Sequence, residues 1–91
     1  MNLKPTSKRG AEWLDFSVDV ILHVEEYTVP QYGDDPDDEV AEWSAVDCVR
    51  AIRKYTGRFG TNARPGEEKL DLMKMAHFAC LAAHKLEKEA P

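Results

Sequence analysis

Four polar side chains, Lys54, Arg58, Asn62 and Arg64, crowd into one short string, KYTGRFGTNARPG. Lys54 and Arg58 are four residues apart and share a face if that stretch is helical. The glycines free the backbone for close approach to a ligand. A helix starting at Pro65 would present its unpaired N–H groups beside these cations. Cationic side chains next to a helix N-terminus are the ingredients of a phosphate site. Just downstream, Glu68 and Asp71 stand one turn apart, and Asp15, Asp19, His23 and Glu26 recur on one flank of an earlier helical stretch. Magnesium takes carboxylate oxygens and keeps waters that a nucleotide's phosphates can replace. Glu68, Asp71, Asp19 and Glu26 are therefore the expected metal residues. A plainer arrangement suits the same residues: a solvated basic face ending in a glycine turn, and an acidic stripe in water. His77, Cys80 and His84 form a third set along one stripe, and zinc would need Cys48 as its fourth ligand. A buried cysteine and a histidine on an apolar face also fit a core. Gly-x-Ser-x-Gly and a phosphate loop ending in Gly-Lys-Ser/Thr are both absent from the sequence, so a conventional hydrolase or kinase reading lacks its motif.

Three helices, at about 10–28, 44–58 and 65–89, must position these groups. In the first, Trp13, Phe16, Val20, Val24 and Tyr27 fall on one face at 100° per residue, widened by Leu14 and Ile21. Thr6 or Ser7 offers a cap, and Pro30 predicts a stop by Val29. Residues 30–39 hold two prolines, one glycine and five acids, and read as a long acidic loop. Ser44, with Asp47 three residues on, predicts a capping box for the second helix. That helix carries Ala45, Cys48, Val49, Ile52, Tyr55 and Phe59 as its apolar stripe. Trp13, Phe16, Trp43, Tyr55 and Phe59 all read as core. The third helix has no formally charged residue between Met75 and Ala83. Either it is central to the fold, or one side packs on another subunit; a homodimer through this helix is expected, because three helices leave little interior.

The chain has 91 residues and a net charge of −5. That length suits one all-α domain, a three-helix bundle with a long acidic loop between helices 1 and 2, and a modest core. The negative balance argues against general nucleic-acid or membrane-surface binding. No apolar run approaches the roughly 20 residues of a membrane span. Two cysteines without a signal-like N-terminus predict free thiols and a cytoplasmic location.

The segment from Cys48 to Leu86, CVRAIRKYTGRFGTN followed by EEKLDLMKMAHFACLAAHKL, resembles a small helical module of phage and prophage proteins. That group includes a phage nucleotide kinase without a conventional phosphate loop. The module pairs a helix ending in A-I-K-Y-x-x-R-x-G with a following E-D-L-x-K-A. Ile52, Lys54, Tyr55, Arg58 and Gly60 match the first part; Asp71, Leu72, Lys74 and Ala76 match the second, with Glu68 near its acid. Arg53 is inserted before Lys54, Phe59 precedes the glycine, and the N-terminal half has no counterpart. The chain also resembles the all-helical MazG-type nucleotide pyrophosphohydrolases. Their E-x-x-E and E-x-x-D pairs bind magnesium and correspond to Glu39 and Glu42, then Glu68 and Asp71.

Together these readings predict a phage-type protein that binds a nucleotide or another phosphate ligand, with magnesium; whether it is an enzyme stays open. Lys54, Arg58, Asn62 and Arg64 would meet phosphate, and Glu68, Asp71, Asp19 and Glu26 the metal. The alternative is a non-catalytic interaction module whose acidic surface binds a host partner.

Overall fold

A computed structural model describes residues 4–61 and 64–90. It is all-helical: α1 (Lys8–His23), a π-helical turn (Val24–Thr28), α2 (Val29–Tyr32), α3 (Ala45–Arg58) and α4 (Glu67–Glu89). The first three run on without a break, so the molecule has three helical bodies. Ser7 caps α1, its hydroxyl accepting from the Gly10 N–H at 3.0 Å. Residues expected to end this helix at Val29 instead continue it to Tyr32. The wider π turn is the physical reason. The Val29 N–H reaches back five residues to the Val24 carbonyl, and Val29 stays helical at φ −64°, ψ −48°. A π turn loosens the crowding that the Pro30 ring imposes on the preceding turn. Gly33, at φ +95°, then ends the helix in a conformation that side chains rarely adopt.

The expected acidic loop is accordingly shorter at its start, and its remainder is a chain of hydrogen-bonded turns. Asp37 donates to the Asp34 carbonyl at 2.7 Å, Ala41 to Asp38 at 3.2 Å, and Trp43 to Val40 at 3.0 Å. Lys85 of α4 anchors its far end, donating to the Val40 and Ala41 carbonyls at 2.8 Å each. The Ser44–Asp47 capping box predicted for α3 is present in both directions. The Glu89 carboxylate also accepts from the Ala45 N–H at 3.1 Å, tying the end of α4 to the start of α3. α4 begins at Glu67 rather than Pro65, because Gly66 takes a left-handed φ of +86° and leaves Pro65 in the preceding turn.

α4 is the central helix. It packs against α3 along one side and α1 along another, while α1 and α3 do not pack on each other among the described residues. The expected three helices are thus present, in an open arrangement around α4. Its core is small: Ala45, Cys48 and Ala82 between α3 and α4, flanked by Trp43, Phe78 and Leu81, with Met73 buried separately where α4 faces α1. α1 buries no side chain. Trp13, read from its spacing as core, is 64% exposed. Phe16, Val20 and Val24 of the same face are half-buried, because only the short α1–α4 contact covers them. Among the described residues no helix is long and apolar enough to cross a membrane.

Candidate functional site

The gap between α1 and α3 is where the chemistry collects. A cavity of about 410 Å³ lies between the π turn and α2 on one side, the acidic turns above, and α3 and α4 on the other. Its volume falls in the range of small-molecule sites. Rings form much of the wall. Trp43 stacks on Phe78 with centroids 6.1 Å apart, and Tyr55 stacks on Phe78 at 6.0 Å. On the opposite wall Tyr27 meets Tyr32 edge-on at 6.2 Å and stacks on His23 at 5.2 Å. The helical continuation through Pro30 is what brings Tyr32 back beside Tyr27.

Two ammonium groups border these rings. Lys54 Nζ and Lys74 Nζ each lie 5.7 Å from the Tyr55 centroid, one from α3 and one from α4. Both residues line the cavity, as do Asp34, Asp35, Asp38 and Glu39 from the turns. Asp38 Oδ1 is buried without a hydrogen-bond partner. His23 and His77 also face the cavity. Burial pushes the His77 imidazole below its ordinary range, helped by His23 and opposed by Asp38. Burial lowers His23 as well, with the Lys74 charge adding to it. Tyr32 is raised, chiefly by its hydrogen bond with Tyr27, and Tyr55 is raised chiefly by burial. Neutral imidazoles and phenols beside two cations and four carboxylates make a wall that is apolar at its centre and charged at its edges.

The residues predicted from sequence divide. Lys54 lines the cavity. Arg58 is engaged elsewhere: Nη2 meets Asp71 Oδ1 at 2.7 Å, and Nε meets Oδ1 and Oδ2 at 3.2 and 3.4 Å. Its guanidinium carbon also lies 4.9 Å from the Tyr55 centroid. The reason is electrostatic. Asp71 is fully buried, and a buried carboxylate requires a cation and hydrogen bonds. Arg64 is exposed in the turn before α4, and Asn62 lies outside the described residues. The four metal candidates do not converge within one chain. Asp71 is held by Arg58, Asp19 Oδ2 pairs with Lys69 Nζ at 2.8 Å, and Glu26 and Glu68 are exposed. Among the described residues no group of three or more His, Cys, Asp and Glu is arranged to hold a metal ion. The zinc set also separates: Cys48 is buried in the core, His77 faces the cavity, and Cys80 and His84 are exposed. Glu39 and Glu42 lie in the turns rather than on a helix, and only Glu39 reaches the cavity.

Tyr27, Tyr32 and Trp43 were not legible as site residues, and His23 was grouped only with the acids on its flank of the first helix. Tyr27 and Trp43 carried a core signal, and Tyr32 sat in an apparent loop. Lys74 was marked only by the phage-module pattern. A tyrosine on each side of Pro30 was the one local clue, and it has meaning only once the helix is known to continue. Comparison with models of protein families, with curated proteins and with solved structures finds no match.

Proposed function

We propose that this protein binds a nucleotide in the cavity between the π turn, α3 and α4. One observation carries the reading: Lys54 and Lys74 border the same ring-lined cavity, each 5.7 Å from the Tyr55 centroid. Aromatic faces hold a base by stacking, worth about 1–3 kcal/mol per base. Two ammoniums from different helices then meet the phosphates by charge-assisted hydrogen bonds. Magnesium enters with the ligand. It commonly binds one or two carboxylates plus phosphate oxygens rather than a protein cage, and Asp38, with its unpartnered oxygen, is the first carboxylate in reach of the cavity. This assignment keeps Lys54 from the sequence reading and replaces Arg58 with Lys74. The metal role moves from the helical acids to the turns. The resemblance of residues 48–86 to the phage module supports the same ligand class.

Isothermal titration with a panel of nucleoside mono- and triphosphates, with and without magnesium, tests it. Binding with Kd below about 1 mM is expected for at least one of them. Lys54→Glu combined with Lys74→Glu should weaken that binding at least about tenfold through lost phosphate contacts. No binding of any nucleotide at millimolar concentration overturns the reading.

A further inference from the structure

One arc of α1 is apolar and uncovered. At 100° per residue, Leu14, Val18, Ile21 and Leu22 fall on one side of the helix. All four are exposed, Ile21 at 58%. Ala11 and Ser17 extend the arc with small side chains, while Gly10 is covered by Pro5 and Ser7 of the same chain. The contact with α4 uses the neighbouring flank, where Asp19 pairs with Lys69, and Leu22 at the edge of the arc lines a pocket with Leu70 and Met73. Helices in proteins draw most of their stability from packing an apolar face, and no residue of α1 is fully buried.

The surface area states how much cover is missing. A compact chain of 10.3 kDa exposes about 5,400 Å². This chain exposes 7099 Å², a surplus of roughly 1,700 Å² over that expectation. A stable protein interface removes about 800 Å² from each partner, so the surplus is large enough for one.

Charge selects the occupant. Lys8 at the start of α1 and Glu26 just beyond its end fall on the same edge of the apolar arc, and Glu25 closes the arc at its far end, in line between Leu14 and Val18. We propose that a second copy of this chain packs antiparallel on the Leu14–Val18–Ile21 stripe, about a two-fold axis beside Val18. In that arrangement Leu14 meets the partner's Leu22, and Lys8 comes alongside the partner's Glu25 and the partner's Glu26. A parallel pair would set like charges side by side. An isologous contact of this kind closes on itself and leaves no stripe exposed. The seam is thus on α1 rather than on the third helix, where the sequence alone directs it.

Sedimentation velocity on the full chain, from about 1 to 200 µM, reads the assembly. The expected result is a species of twice the 10.3 kDa chain mass. Val18→Glu puts two like charges at the axis and should weaken association about 100-fold or more. Because Val18 is exposed, circular dichroism should show the helices retained. Lys8→Glu should weaken the dimer, and adding Glu25→Lys and Glu26→Lys should restore it. A monomer throughout the range overturns the proposal. So does a dimer that ignores Val18→Glu but is broken by Leu72→Glu or Leu86→Glu on α4. Failure of the charge swap to restore association overturns the antiparallel order. The nucleotide cavity lies on the other side of α1, so these outcomes leave its own test unaffected.

Discussion

His77 shows how much a single side chain depends on where the fold puts it. Burial in the cavity wall, with His23 beside it, holds its imidazole neutral where an exposed histidine would be taking up a proton. The unfolded chain has no such restraint and titrates near pH 6.5. A group whose folded pKa is lowered contributes stability that is present above the unfolded value. That stability is lost as pH falls through the folded value, because the unfolded state binds the proton first. Thermal midpoints should therefore fall by on the order of a few degrees between pH 7.5 and 5, a window above the range where most carboxylates titrate. His77→Gln should shrink that drop. Scanning calorimetry across the window checks it, and an unchanged pH slope in the variant would show that His77 does not carry the effect.

At the scale of elements, the clamp between α3 and α4 is the strongest local constraint. Arg58, in the last turn of α3, reaches across to Asp71, one turn into α4. The pair ties the end of α3 to the start of α4 beside Tyr55, whose ring centroid lies 4.9 Å from the guanidinium carbon. Removing the cation leaves a fully buried carboxylate unpaired, which costs about 3–5 kcal/mol in a dry interior. Arg58 is about one-third exposed, so water offsets part of this. Arg58→Ala should cost about 2–3 kcal/mol in urea unfolding. Asp71→Asn, which removes the charge itself, should cost less. If Arg58→Ala were neutral, the clamp would contribute no stability. The π turn acts at the same scale, because it carries the first helical body through Pro30 and so builds the Tyr27–Tyr32 wall.

For the whole molecule, size and shape point the same way. The radius of gyration is 14.5 Å, against about 12 Å for a compact chain of this length. Four buried apolar residues among those described make a slight core. Such a chain draws much of its stability from what covers its open faces. If the second copy supplies that cover, folding is linked to association, and the thermal midpoint rises with protein concentration by mass action. An increase of a few degrees per tenfold rise in concentration is expected by calorimetry or circular dichroism. A midpoint independent of concentration would place the stability inside one chain.

Much of this protein is decided locally and could be read without coordinates. Ser7 and Ser44 cap their helices because a side-chain oxygen reaches a backbone N–H a few residues on. The all-helical class follows from apolar spacing that neighbours impose on one another. Lys54 was singled out because its charge, spacing and glycine surroundings lie within one short string. Other features depended on residues distant in sequence. Asp71 read as a metal ligand until α3 placed Arg58 against it. Trp13 read as core, although helical spacing shows only that a face is apolar and not whether anything covers it. Tyr32, Trp43, Lys54 and Lys74 come from four separate segments and share one cavity only because α4 holds the others around it. Which groups meet, and which apolar face stays open, is a property of packing between helices, and no periodicity within a single helix encodes it.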